Sequence, residues 1–154
     1  MSRITDHIDV DVPVGVAYDQ WTQFESFPEF MDGVERVLQL DDQTLDWTAT
    51  IAGRTKHWRA AIVDQEPDEL VSWRSLEGAR NDGTVRFEPL GRDRSRVTLE
   101  LDIEPEGAIE STGTALGFVD RRVKGDLERF KAFIESRGQA TGAWRGHVED
   151  GEAR

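Results

Sequence analysis

The residues of this chain whose types and spacing could do binding chemistry are aromatic. The stretch AYDQWTQFESFPEFM, residues 17–31, carries one tyrosine, one tryptophan and three phenylalanines. Trp47, Trp58 and Trp73 follow in three successive segments of the chain. Large planar side chains bind apolar molecules because the contact removes both surfaces from water. These residues therefore predict either the mouth and walls of an apolar cavity or a core that they fill themselves.

The ionisable residues show no catalytic or metal-binding pattern. The chain has no cysteine, which excludes disulfides, thiolate metal sites and a cysteine nucleophile. His7, His57 and His147 lie far apart and show no HExxH spacing, and no GxSxG, phosphate-binding loop or dinucleotide fingerprint occurs. We expect no catalytic residues, no metal and no cofactor. Arg59 and Arg74 are expected to pair with acids on an outer sheet face rather than to hold an anionic ligand.

The overall charge limits the classes of partner. The formal net charge is −12 at pH 7, and nucleic-acid binding relies on Lys and Arg to displace counterions from phosphates. Anionic membrane surfaces likewise attract basic clusters. No apolar run resembles a signal peptide or a membrane span. We therefore expect a cytoplasmic monomer or homodimer without nucleic-acid binding or stable membrane anchoring.

The elements that must position the aromatic residues begin with a strand. ITDHIDVDV alternates apolar and polar residues with period two, which is typical of a half-buried strand. Pro13 suits a first helical turn, so PVGVAYDQWTQF is predicted to be helical, and Pro28 is expected to break it into a second short helix. Six further strands are predicted between Val34 and Glu104, and their short links indicate antiparallel neighbours.

Each predicted strand has one apolar row, and the last predicted element is a long helix. The apolar rows include Leu45, Trp47, Ala49, Ile51, Trp58, Ala60, Ile62, Val71, Trp73, Val85, Phe87, Val97, Leu99, Leu101 and Ile103. Over residues 111–137, apolar residues recur every three or four positions from Leu116 to Ile134, and Gly138 is a predicted C-terminal cap. Residues 139–154 are predicted to be a Gly-rich charged tail, mobile or laid on the surface with Trp144 as its anchor.

These elements predict an α+β fold. A curved seven-stranded antiparallel sheet with one apolar face must cover that face, and the long C-terminal helix is its only large partner. Two short helices follow the first strand. Ala49, Ala60 and Gly83 are small, so the sheet and the helix are expected to enclose a space that their side chains do not fill.

The opening of the chain resembles a known family. IDVDVPVGVAYDQWTQFESFPEFMDGVERVLQL is similar to the start of the polyketide cyclase/dehydrase and lipid-transport group of START-like (Bet v 1-like, SRPBCC) helix-grip proteins. The shared pattern is an alternating strand, a proline-led helix, the Phe27-Pro28-Glu29-Phe30 element and a strand beginning near Gly33. The resemblance covers about residues 4 to 137 and implies a single domain, 1–138, with a deep apolar pocket between sheet and helix.

The resemblance also bears on the site residues and on catalysis. The ligand-binding residues that it implies, together with the apolar rows, are Phe27, Phe30, Met31, Val34, Trp47, Trp58, Ala60, Ile62, Trp73, Phe87 and Phe118. Resembling aromatase/cyclases have a tyrosine just after the aromatic-Pro-Glu element, and a serine and an arginine on a strand that follows a tryptophan. Aligned on Phe27 and Trp58, this chain has Val34, Ala60 and Ile62 at those places, which cannot move protons or hold an enolate.

The sequence therefore favours binding or transport of a hydrophobic small molecule, such as a lipid, a quinone or a polyketide-like compound, over catalysis. Among relatives, the resemblance is nearest to coenzyme Q-binding START-like proteins. One alternative is an aromatase/cyclase or dehydrase that uses His57, Tyr18 or Arg74, and it requires a polar cluster converging inside the cavity. A second is an interaction or stress-associated module with a vestigial pocket, and it requires a collapsed cavity.

Overall fold

The computed structural model describes residues 2–31, 34–41, 43–51, 54–77, 81–103, 113–143, 146, 148–149 and 152–153, with the backbone alone for 2, 3, 51, 54, 77, 81, 103, 113–120, 149, 152 and 153. Helices and strands are largely segregated along the chain, because six consecutive strands lie between the two short helices and the long C-terminal helix. In chain order they are β1 (Ser2–Val10), α1 (Val14–Trp21), a 3-10 helix (Phe24–Glu29), β2 (Val34–Gln39), β3 (Thr44–Ile51), β4 (Arg54–Glu66), β5 (Leu70–Glu77), β6 (Asn81–Gly91), β7 (Arg94–Ile103), α2 (Gly113–Arg137), β8 (Val148–Glu149) and β9 (Glu152–Ala153).

The seven main strands form one antiparallel sheet in the order β1-β7-β6-β5-β4-β3-β2. Strands β2 to β7 form a meander, and β1 pairs with β7, with Ile8 opposite Val97. The inward rows of these strands pack with the buried face of α2, on which Val123, Leu127, Phe130 and Ile134 are at most 5% exposed. The expected α+β helix-grip fold is therefore confirmed.

The end of α2 follows from its sequence. Gly138 adopts a φ of +72°, a left-handed conformation that costs glycine little because it has no Cβ. Its N–H donates to the carbonyl of Ile134 at 2.8 Å, which satisfies one of the helix's last carbonyls. The predicted cap at Gly138 is confirmed.

The expectation that Pro28 divides the two short helices is wrong. Helix α1 ends at Trp21, where the Thr22 hydroxyl donates to the carbonyl of Asp19 at 2.6 Å. Pro28 lies inside the 3-10 helix that follows. The φ that the proline ring imposes suits a 3-10 helix, and a helix of one or two turns has few backbone donors to lose. The break therefore lies at Thr22 and Gln23, ahead of Pro28, where the Thr22 hydroxyl caps the last turn of α1.

The described part of the tail is joined to the sheet. β8 pairs with β4 through Val148 and Gln65, and β8 and β9 form a small hairpin. Val148 is completely buried. Strand β3 begins opposite Ala61, so it does not reach Gln65. The edge of β4 that pairs with β3 is therefore available to β8 at Gln65.

Trp144, the predicted anchor, lies outside the described residues. The described residues attach the tail through β8 and through hydrogen bonds between Thr141 and Gln20.

Candidate functional site

Three tryptophans lie side by side on the inner face of the sheet. Trp47 on β3 is directly opposite Trp58 on β4, and Trp73 on β5 is opposite Ile62 of β4. The rings of Trp47 and Trp58 stack with centroids 5.7 Å apart and planes 8° from parallel. Trp58 is buried, whereas Trp47 and Trp73 are partly exposed. Strand alternation places all three on one wall of the interior.

Small side chains accompany the tryptophans. Ala49 and Ala60 are 1% and 0% exposed, and with Trp58 they form a buried apolar cluster distinct from the main core. Val34, Trp47 and Trp73 pack against this cluster and also against the main core. We call Val34, Trp47, Ala49, Trp58, Ala60 and Trp73 the tryptophan cluster. It contributes no charged side chain.

Gly83 determines how Trp73 lies on the sheet. It is opposite Trp73 on β6, and a Cβ at this position would be 2.5 Å from Cζ2 of Trp73 and 2.9 Å from the carbonyl oxygen of Glu100. Real Cβ atoms do not approach other atoms so closely. The absence of a side chain at Gly83 therefore lets the Trp73 ring approach the backbone of β6.

A second group of aromatic rings fills the main core between α1, the 3-10 helix and α2. Trp21 is 5.2 Å from Phe27 and 5.3 Å from Phe130 between ring centroids, and Phe30 is 5.3 Å from Phe130. Phe27 and Phe30 are 3% and 1% exposed. In this part of the interior the protein's own aromatic rings occupy the space beside the helix.

The predicted ligand-binding residues therefore fall into two groups. Val34, Trp47, Trp58, Ala60 and Trp73 come together in the tryptophan cluster. The others that the structure describes belong to or pack against the main core, and Phe27 touches the cluster through Trp47 at 5.7 Å. These main-core residues are Phe27, Phe30, Met31, Ile62 and Phe87. The side chain of Phe118 lies outside the described residues.

Two arginines of α2 donate hydrogen bonds to backbone carbonyls of other segments near the tryptophan cluster. Nη1 of Arg122 donates to the carbonyl of Thr50 on β3 at 3.3 Å. Nε of Arg129 donates to the carbonyl of Phe30 at 3.1 Å, and its Nη2 pairs with Asp126. Sequence reasoning treated Asp126 and Arg129 as an ordinary charged face. Their spacing of three residues was the available signal, because it places both side chains on one edge of the helix.

The side chains considered for catalysis do not meet. The Tyr18 hydroxyl is fully buried and accepts a hydrogen bond from Nε2 of Gln65 at 3.0 Å. His57 lies on the outer face, 60% exposed, where it pairs with Asp46. Arg74 is exposed. The described structure thus separates a core tyrosine from two outward-facing residues, and no polar cluster forms around the three.

The groups with perturbed pKa values lie on the outer surface. Hydrogen bonds from Arg96 lower the pKa of Asp9 below its usual range, against a smaller opposing effect of burial. Burial raises the pKa of Glu135, but hydrogen bonds from Lys131 and from the backbone N–H of Asp11 outweigh it, so the pKa is lowered. These carboxylates join α2 and β7 to β1 and are remote from the tryptophan cluster.

The structure also contains a surface cleft, of about 300 Å³, between the 3-10 helix, β2 and the segment after α2. Its lining is largely polar and includes Gln23, Glu25, Glu29 and Thr141. Gln20 lies beneath this region, where its Oε1 accepts from the backbone N–H of Thr141 at 2.9 Å. The cleft differs in position and chemistry from the apolar cavity that the sequence predicts.

Among the described residues, no group of three or more His, Asp or Glu side chains is arranged to hold a metal ion. No helix in the same part of the chain is long and apolar enough to cross a membrane.

Comparison with known proteins gives one family and one close relative. A family model described as polyketide cyclase / dehydrase and lipid transport matches residues 10–132. An uncharacterized 17.2 kDa protein from the melC2-rnhH intergenic region of Streptomyces lincolnensis is 50% identical over 149 residues, which are 96% of this chain and 99% of the relative.

Solved structures with the same fold include enzymes and other proteins. The Zhui aromatase/cyclase from a Streptomyces species superposes with a TM-score of 0.80 at 18% identity, covering 93% of this chain and 99% of that one. A START superfamily protein from Mycobacterium smegmatis superposes with a TM-score of 0.71 at 16% identity, covering 88% and 95%. At these identities the likeness establishes the fold alone.

Proposed function

The chain belongs to the polyketide cyclase/dehydrase and lipid-transport family, and we propose that it binds a hydrophobic small molecule against the tryptophan cluster. The observation that carries the proposal is that Ala49, Trp58 and Ala60 form a buried apolar group apart from the main core, and that Trp47 and Trp73, which pack against both, are partly exposed. The exposed parts of these two tryptophans are apolar surface that a bound ligand can cover. The predicted site is thereby reduced to Val34, Trp47, Trp58, Ala60 and Trp73, with Met31 and Phe27 at its margin.

The binding mechanism is passive burial of apolar surface. Each 100 Å² of apolar surface removed from water contributes about 2.5 kcal/mol before the entropic cost of association. The flat faces of Trp47 and Trp73 provide such surface without a large loss of side-chain freedom, because each ring has only two rotatable bonds. No proton transfer is needed, which agrees with the wide separation of Tyr18, His57 and Arg74.

The ligand's route is proposed to pass between α2 and the segment that follows the 3-10 helix. Arg129 ties this segment to the helix through the carbonyl of Phe30, and Met31 comes next in the chain. This hydrogen bond is part-buried, and the ring of Phe30 packs against Phe130 of α2 with centroids 5.3 Å apart, so opening the entrance requires both contacts to separate. The short helices would then open and close the entrance.

A cyclase or dehydrase activity is the alternative within the same family. Of the three side chains considered for it, only Tyr18 is buried, and its hydroxyl already accepts a hydrogen bond from Gln65. A cytoplasmic location and a monomeric or homodimeric state remain predictions from the sequence.

Ligand binding is tested by thermal shift with palmitate, a short-chain ubiquinone and the aromatic polyketide emodin, together with native mass spectrometry of the purified protein. A ligand at 100 times its Kd stabilises the fold by about 2.7 kcal/mol, which raises Tm by roughly 5–10 °C for a chain of this size. A shift with at least one compound supports the proposal. No shift with any of them and no co-purifying ligand would contradict it. Chemical conversion of the bound compound would favour the enzyme.

A further inference from the structure

The indole N–H of Trp47 is a buried donor without an acceptor. Nε1 of Trp47 is shielded from solvent and has no hydrogen-bond partner in the described structure. A buried N–H that makes no hydrogen bond costs about 1–3 kcal/mol relative to its state in water. Most buried indoles avoid this cost by finding a partner. An unsatisfied donor in the proposed binding site therefore has a physical reason to be paired when a ligand is present.

Of the two rings beside Trp47, Phe27 lies 5.7 Å away and is inclined by 51°, so its face offers at most a weak N–H···π contact. The stacked ring of Trp58 cannot serve as the acceptor at all. The N–H bond lies in the plane of the indole, and the planes of Trp47 and Trp58 are only 8° from parallel. The N–H consequently runs alongside the face of Trp58 rather than into it. An aromatic face accepts a weak hydrogen bond only from a donor that points toward it.

Trp21 provides the contrast inside the same protein. Its Nε1 is also buried and has no conventional partner. Three phenylalanine rings surround it, and Phe27 and Phe30 are inclined to its plane by 68° and 67°. At such angles an N–H can be directed at a ring face. Trp21 lies in the filled main core, whereas Trp47 borders the tryptophan cluster.

We infer that the ligand carries a hydrogen-bond-accepting oxygen, such as a ketone carbonyl, that pairs with the Nε1–H of Trp47. This inference rests on the proposed function and specifies the class of compound that the site accepts. An indole N–H only donates, so a group that only donates cannot pair with it. The six residues of the cluster contribute no charged side chain, so they favour a neutral group over an ionised one. The preferred ligand is a neutral, flat molecule with one acceptor on its edge.

The test uses two bicyclic compounds of nearly equal shape, 1-indanone, which has a carbonyl, and indane, which does not. Affinities of both for the wild-type protein and for Trp47→Phe are measured by calorimetry. We expect the ratio of indanone to indane affinity to fall about five- to tenfold in Trp47→Phe. A change of this size corresponds to the usual net contribution of one neutral hydrogen bond to binding. A purely structural role of the ring would lower both affinities together and leave the ratio unchanged.

Trp21→Phe is the matched control, because it removes the other unpartnered buried indole N–H of the described residues, at a place in the main core that meets Trp47 only through Phe27. It should leave the ratio at the wild-type value. In the wild-type protein, the Nε1 proton resonance of Trp47 should move downfield with indanone and not with indane, a readout that does not depend on a variant folding.

The outcomes separate the two proposals. Binding of both compounds with an unchanged ratio in Trp47→Phe, or without a selective shift of the Trp47 proton, overturns the inference and leaves the proposed function standing. If neither compound binds and the thermal-shift compounds also fail, the proposed function falls and the inference falls with it.

Discussion

Trp47 and Trp58 face each other across two antiparallel strands with their indole planes 8° from parallel and their centroids 5.7 Å apart. Directly opposed residues in an antiparallel pair have close Cβ atoms, so the register alone brings the rings together. Ala49 and Ala60 follow two residues after Trp47 and Trp58 on the same face. The pair thus presents a flat aromatic surface next to small side chains, which is the geometry that the proposed function uses.

A bulky residue at the margin of the cluster should block binding. Val34 is partly exposed and packs against the cluster, opposite Ala49. We expect Val34→Trp to fold with a Tm close to that of the wild type and to abolish the thermal shift caused by ligand. Leu38→Trp is the matched control, since Leu38 lies on the same strand and is 36% exposed. Equal ligand shifts in the two variants would contradict the placement of the site.

A side chain at Gly83 should displace Trp73. A Cβ there would lie 2.5 Å from the Trp73 ring and 2.9 Å from a backbone oxygen, and overpacking of this kind costs about 1–3 kcal/mol. Gly83→Ala should therefore lower the free energy of unfolding in urea and weaken ligand binding. Gly91→Ala is the control, because a Cβ at Gly91 meets nothing within 4 Å. Equal stabilities of the two variants would mean that Trp73 is not held against Gly83.

The Asp9–Arg96 pair should make stability depend on pH in the acid range. Hydrogen bonds from Arg96 at 2.7 and 3.3 Å lower the pKa of Asp9 in the folded state. The stabilisation is present above the unfolded-state pKa of about 3.9 and is lost as the pH falls through the lower folded-state pKa. Asp9→Asn should thus lower Tm near pH 6 but not at the lowest pH at which the protein folds.

Circular dichroism melts from pH 6 to pH 2 measure this difference. Arg96→Gln should reproduce the effect of Asp9→Asn, and the double variant should add little to either, because both changes remove one interaction. A Tm difference that stays constant across the pH range would show that Asp9 contributes through packing rather than through its charge.

The attachment of the tail should contribute to stability. Val148 is completely buried and pairs with Gln65 of β4. A carboxylate at this position would be buried without a partner, so Val148→Asp should release β8, lower Tm and speed the removal of the tail by trypsin. Ala143→Asp introduces the same charge at an exposed position of the same segment and should change neither property. Unchanged proteolysis of Val148→Asp would indicate that β8 pairing does not hold the tail.

Local patterns were sufficient to predict the sheet and the helix that it wraps. Alternation of apolar and polar residues is a property of the strand itself, so it placed Trp47, Trp58 and Trp73 on the inner face before any contact was known. The apolar stripe that ends at Ile134 and the glycine at position 138 likewise determined α2 and its end. These features depend only on neighbours along the chain.

The division of the aromatic residues between core and site was decided by the tertiary structure. Phe27, Phe30 and Trp47 are equally apolar in the sequence, but the first two interlock with Trp21 and Phe130, whereas Trp47 pairs with Trp58 through the β3–β4 register. The pairing of Val148 with Gln65 and the bridge from Arg129 to Phe30 also join segments far apart in the chain. The sequence determined which residues could be buried. Which of them meet depends on sheet curvature, strand register and side-chain volume, and these are set only when the distant segments pack together.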